Sequence, residues 1–132
     1  MITLLLLALS GVEGLPGPET ATHRVTGLFS REREADLREA VKRLQDVELL
    51  KIDFDRGEAS FSYDPVMLFK GVKEKDRLQR FDQLLKQASS STFGIRPLCE
   101  TPWEKLTAVE IAVAGLDCRG CELSAYESIS RI

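Results

Sequence analysis

Two cysteines, Cys118 and Cys121, are the side chains of this chain best suited to chemistry. They stand in the run Gly115-Leu116-Asp117-Cys118-Arg119-Gly120-Cys121, between an alternating apolar stretch and a helix-like one. With two residues between them, both sulfurs can turn toward one point. At a helix start, unpaired backbone N–H groups and the macrodipole favour the thiolate form, and Arg119 adds positive charge nearby. Two thiolates in a near-linear array suit Cu(I) or Hg(II), whereas Zn(II) asks for further ligands to complete a tetrahedron. Gly115 and Gly120 let the loop bend so that an ion can approach the backbone. The same spacing also serves dithiol oxidoreductases and half-sites for zinc, so spacing alone leaves those readings open.

Other reactive groups are sparse. Cys99 is the third cysteine; a place at a strand end suggests a buried or partly buried small residue, with a third thiolate or a disulfide to Cys118 or Cys121 as the alternatives. His23 is the single histidine and is expected at a surface or sheet edge rather than as a ligand. With one histidine there is no Ser/His/Asp arrangement for nucleophilic catalysis, and no Gly-rich phosphate loop is present; the chain is not expected to be an enzyme. The run Ser30-Arg31-Glu32-Arg33-Glu34 reads as a solvated helix start, and Trp103 as a cap of the linker on the preceding core.

The chain has 132 residues, with 30% charged and 43% hydrophobic side chains. This is the composition of a folded soluble domain rather than a disordered chain. A formal net charge of -3 and a pI near 5.3 argue against a dedicated nucleic-acid binder. No apolar run reaches the roughly 18 residues of a membrane span. Ile2 to Leu9 are almost continuously apolar and are followed by Ser10, Gly11 and Gly14, with Ala8 and Ser10 fitting the small-residue positions before a cleavage site. That is the shape of a secretory signal over 1–14, although no Lys or Arg precedes the apolar core. Residues 15–21 are expected to be a flexible lead-in, and the mature chain to work in a secreted or periplasmic, oxidising space.

The elements that must position the cysteines follow from periodicity. A short strand is expected around Thr22–Gly27. An amphipathic helix near 31–45 places Leu37, Val41 and Leu44 on one face, with Ser30 as its N-cap. Leu50, Ile52 and Phe54 alternate with Lys51 and Asp53. Asp55-Arg56-Gly57 turns the chain, and Ala59, Phe61 and Tyr63 form the second arm of a hairpin. A second helix carries Leu78, Phe81 and Leu85 on one face. It breaks at Ser89-Ser90-Ser91, and a last strand spans Ile95 to Leu98. The order β-α-β-β-α-β predicts an α+β sandwich of ferredoxin-like type over 22–99, two helices on one face of a four-stranded antiparallel sheet.

The pattern then begins again. One constant displacement carries Val25 onto Val113, Gly27-Leu28 onto Gly115-Leu116, Ser30 onto Cys118 and Arg33 onto Cys121. It also carries Glu34 onto Glu122 and Val41 onto Ile129. After a linker at 100–107, residues 108–132 therefore read as an incomplete second copy, one strand plus one helix. About 25 residues cannot close a core alone. The chain is expected to be a truncated reading of a longer one, the alternatives being a stub that leans on the first unit or one completed by another chain.

The motif GLDCRGC, after an alternating strand and before a helix, resembles that of the heavy-metal-associated domain family, Gly-Met-x-Cys-x-x-Cys on a β-α-β-β-α-β fold. That family includes periplasmic mercuric-ion-binding proteins, copper chaperones and modules of copper-transporting ATPases. Leu116 stands at the family's Met position, and Phe93-Gly94 stands where members often have Gly-Tyr. The resemblance covers most of the chain after residue 21. It implies that Cys118 and Cys121 are metal ligands, and that a soft ion passes to a thiol-bearing transporter or acceptor domain by ligand exchange. The first unit departs from the motif: it reads GLFSRER, with Ser30 and Arg33 in place of thiols, and is expected not to bind metal. The competing expectations are a thiol-disulfide protein built on the same cysteine pair and a non-metal interaction module built on the thiol-less unit. Against the first, thioredoxin-type dithiols usually carry Trp before the first cysteine, and here Asp117 stands there.

Overall fold

The computed structural model describes residues 17–131; the signal segment expected over 1–14 lies outside them. The first strand, β1, runs Glu19–Thr26. Glu19, Thr20 and Ala21 pair with Tyr63, Ser62 and Phe61, so the last three residues expected in a flexible lead-in belong to the sheet. Thr20, Thr22 and Thr26 favour a pleated backbone, and Ala21 leaves room for the bulky Phe61 opposite.

Helix α1 spans Arg33–Lys42. It buries Leu37, Ala40 and Val41, with Glu34 and Asp36 in a first turn where negative charge suits the helix dipole. Ser30 is not its N-cap. That position falls to Glu32 with no side-chain cap bond, while the Ser30 carbonyl accepts from the Arg33 N–H at 3.1 Å. Strands β2 (Val47–Asp53) and β3 (Glu58–Tyr63) form the expected hairpin. Its register slips at a bulge, Leu49 opposing Phe61 but Lys51 opposing Ser60. The extra residue is Leu50, which is left 47% exposed while Leu49, Ile52 and Phe54 pack on the core. The alternation Leu50-Ile52-Phe54 is therefore corrected by one position: a bulge switches the side-chain phase, which strict period-two counting cannot register.

After β3 a single-turn helix, α2 (Pro65–Leu68), starts at Asp64, whose carboxylate accepts from the Val66 and Met67 N–H groups. It delivers Phe69 edge-on to Tyr63, with ring centroids 5.4 Å apart. Helix α3 (Arg77–Ala88) buries Phe81 and Leu85. It ends in a turn where Ser90 and Ser91 adopt positive φ and the Ser89 hydroxyl accepts from the Phe93 N–H at 3.0 Å. Strand β4 (Gly94–Arg96) is joined to α3 by Asp82, which accepts from the Ile95 N–H at 2.8 Å.

The four strands make one antiparallel sheet in the order β2-β3-β1-β4. The protein is thus α+β, with α1 and α3 packed against the sheet. Phe61, Phe81, Phe93, Leu37, Leu85 and Val41 are completely buried. Truncating one of the aromatic members to Ala costs about 3–5 kcal/mol.

Beyond β4 the chain is thinly covered. Trp103 does not cap the core: it is 48% exposed, and the Arg56 guanidinium of the hairpin turn lies 5.7 Å from its ring. The strand expected at the start of the second copy, where Val109, Ile111 and Val113 alternate with Glu110 and Ala112, is corrected as well. Among the described residues that segment pairs with no ladder, and Val109, Ile111 and Val113 stay exposed. The alternation is strand-like, but a strand forms only where a neighbour meets its N–H and C=O groups. Helix α4 does form, over Arg119–Ile129.

Candidate metal centre

The geometry of the cysteine pair is set by the first turn of α4. Gly115 adopts φ +80, a left-handed conformation that glycine alone takes without strain, and redirects the chain before the motif. Cys118 is extended (φ -148, ψ 156) and is itself the N-cap of α4. Its Sγ accepts from the Cys121 N–H at 3.2 Å, and its carbonyl accepts from the N–H groups of Cys121 (2.9 Å) and Glu122 (3.1 Å). A sulfur thus takes the place that a Ser or Asp oxygen holds in ordinary capping, satisfying one orphan N–H of the helix start. Gly120 already lies in the helix, and a Cβ there would sit 3.8 Å from Cys118 Sγ, so this glycine is accommodated rather than required.

The two thiols are unequal. Cys118 is held below the usual thiol pKa, first by the hydrogen bond from the Cys121 side chain, then by the N–H groups of Cys121 and Gly120. The Glu122 carboxylate opposes them. Hydrogen bonds, rather than the nearby Arg119, dominate this lowering. Cys121 is pushed up, because its S–H donates to Cys118, then through lost hydration and the charge on Cys118. Of the two, Cys118 is therefore the sulfur that gives up its proton more readily, and Cys121 the one that keeps it. Both sulfurs are reduced, and Cys118 is exposed.

Among the described residues no group of three or more His, Cys, Asp or Glu side chains is placed to hold a metal ion. The donor set that the chain brings together is the two sulfurs, which fit a soft ion of low coordination number and fall short of a zinc tetrahedron. Cys99 does not join them. It is exposed and reduced rather than buried, because β4 ends at Arg96 and the chain leaves the core before reaching it. His23 sits on β1 opposite Ala59 of β3, one residue before the short ladder with β4 begins, and it is half-buried rather than on the surface, with its ring 5.7 Å from that of Phe81 and 6.3 Å from that of Phe61. Burial lowers its pKa.

The corresponding turn of the first unit is closed by its own side chains. The Arg33 guanidinium lies between two rings, 5.1 Å from Phe29 and 5.2 Å from Phe93, and Arg33 pairs with Asp36. Phe29 also meets Tyr126 of α4, with centroids 6.1 Å apart, so the thiol-bearing helix rests against the thiol-less loop. Sequence reading missed this contact, since no periodicity links Phe29 to Tyr126. Leu28 is buried in the core, whereas its counterpart Leu116 is 38% exposed. Among the described residues no helix is long and apolar enough to cross a membrane. No protein-family model matches the chain, and comparison with curated proteins and with solved structures yields no match.

Proposed function

We propose that the chain binds a soft metal ion, Cu(I) or Hg(II), through Cys118 and Cys121, and passes it on by thiolate exchange. The metal is cargo here, and no bond of an organic substrate is broken. The observation that carries this reading is the exposed Cys118 sulfur at the mouth of α4, which accepts from the Cys121 N–H at 3.2 Å and whose ionisation the Cys121 N–H and S–H favour. An incoming cation meets the Cys118 thiolate first. It then displaces the Cys121 proton to solvent and gains the second sulfur. A thiolate from an acceptor domain adds as a third donor, after which each cysteine leaves in turn, so the ion is never released bare.

We read the sheet order β2-β3-β1-β4, with its β-α-β-β-α-β core, as the ferredoxin-like arrangement of the heavy-metal-associated family, with a degenerate first unit. Two correspondences support this reading beyond the sequence. Gly27 and Gly115 both take positive φ, +97 and +80. The Arg33 and Cys121 N–H groups each donate to the carbonyl three residues earlier. Secretion or periplasmic location belongs to the same proposal and rests on the apolar segment at 2–9.

Titration of the reduced protein with Cu(I) or Hg(II), followed by native mass spectrometry, tests the assignment. One ion per chain is expected, lost in Cys118→Ser and in Cys121→Ser; uptake unchanged by both substitutions overturns it. The unequal acidity of the pair favours a second reading, a dithiol redox protein in which Cys118 attacks and Cys121 resolves. Insulin-disulfide reduction without metal uptake selects that reading.

A further inference from the structure

We infer that the cleft between α4 and the neighbouring ends of β1, β4 and the β2–β3 hairpin is a binding site for one small tetrahedral oxyanion, phosphate or a phosphate monoester. Arg24 of β1 and Arg96 of β4 are directly opposed in the antiparallel pairing, and both are exposed. Like charges placed directly across a strand pair repel. Among the described residues neither arginine has a carboxylate within ion-pair distance. Glu58 is opposite Arg24 on the other flank of β1 and does not reach it at that distance.

A third guanidinium belongs to the same place. Arg56 precedes Gly57, whose carbonyl accepts from the Val25 N–H at 2.8 Å and draws the hairpin turn onto β1. Its contact with Asp53 is long, 4.0 Å. These three arginines line a cleft of about 140 Å³ together with Tyr126 of α4 and Ser130, the C-cap of that helix. At roughly 30 Å³ per water, that is the space of one oxyanion with a few waters. Among the described residues no carboxylate lines the cleft, so the three guanidinium groups share it without an opposite charge inside, although Glu58 and Asp53 stand on the adjoining strands. Guanidinium groups offer paired, fixed N–H donors that match tetrahedral oxyanions, and a bound dianion offsets the Arg24–Arg96 repulsion. Since one wall is sheet and the other is α4, the anion also clips the thiol-bearing helix to the first unit.

Isothermal titration with inorganic phosphate, at ionic strength held constant with chloride, tests the site. Hydrogen exchange of α4 is followed in parallel. Saturable one-site binding is expected, weakened at least about tenfold in Arg24→Gln and in Arg96→Gln and unchanged in Lys42→Gln, which removes a remote positive charge. Phosphate should slow exchange in α4 of the wild-type chain. Arg24 and Arg96 are exposed, so both variants should keep the wild-type circular dichroism. Arg96→Lys, which keeps the charge but loses the fork, should bind with intermediate strength. Binding that fails to saturate, that chloride reproduces, or that survives both glutamine substitutions overturns the inference. So does binding to phosphatidic-acid vesicles when free phosphate has no effect.

Discussion

The Cys121 N–H donates to two atoms of Cys118 at once, the carbonyl oxygen at 2.9 Å and Sγ at 3.2 Å. The helix start and the candidate metal site are therefore one object. The same donor that begins α4 also stabilises negative charge on the first sulfur. Cys118 should accordingly alkylate faster than Cys121 with iodoacetamide at neutral pH. The largest cause of its acidity is the Cys121 side chain, so Cys121→Ala should raise the Cys118 pKa and slow its alkylation. A pH profile of the alkylation rate checks this. A profile unchanged by Cys121→Ala would show that the backbone alone sets the acidity.

Arg33 occupies the place of a thiol but acts as a packing residue. Its side chain is 16% exposed and its guanidinium is stacked between Phe29 and Phe93. Arg33→Ala should lower unfolding stability by about 1–2 kcal/mol, through lost cation–π contact and lost cover of the two rings. Arg33→Lys should recover part of that loss. Urea unfolding followed by circular dichroism measures both, and an unchanged midpoint in Arg33→Ala contradicts the stacking argument.

Gly27 and Gly115 share a backbone conformation but not an environment. A Cβ on Gly27 would overlap the Thr92 carbonyl oxygen and crowd the Phe93 ring, whereas a Cβ on Gly115 meets nothing within 4 Å. Gly27→Ala should cost more than about 2 kcal/mol of global stability. Gly115→Ala should leave the melting temperature of the first unit nearly unchanged, its strain falling on the approach to Cys118. Thermal unfolding of the two variants decides, and equal losses would contradict the contrast.

His23 has a folded-state pKa depressed by burial. The unfolded chain therefore binds its proton more readily than the folded one. The contribution of neutral His23 is fully present above the unfolded value near 6.5 and falls as pH drops through it toward the folded pKa. Stability measured by urea midpoint should decline from pH 7.5 to pH 5, and the decline should be shallower in His23→Phe. An equally steep decline in that variant would assign the pH dependence to other groups.

Much of the architecture was legible because it follows from periodicity. Leu37 and Val41, and then Phe81 and Leu85, recur at helical spacing and are buried in α1 and α3. Ala59, Phe61 and Tyr63 alternate and are buried in β3. Leu50 was misplaced because a bulge adds one residue to β2 with no mark in composition. The alternation of Val109, Ile111 and Val113 predicts a strand because it records which side chains would share a face; it carries no information about whether a partner strand is there.

The sequence by itself determined the order of elements, the spacing of the two sulfurs and the substitution of Ser30 and Arg33 for thiols, since each depends on residues near one another along the chain. Only the tertiary structure decided that Arg33 is enclosed by Phe29 and Phe93, that His23 is half-buried against Phe81, and that Arg24 and Arg96 face each other across a strand pair. Those relations join residues far apart in sequence. They arise from sheet register and from helix packing, which are fixed by the burial of the whole core at once rather than by any local preference.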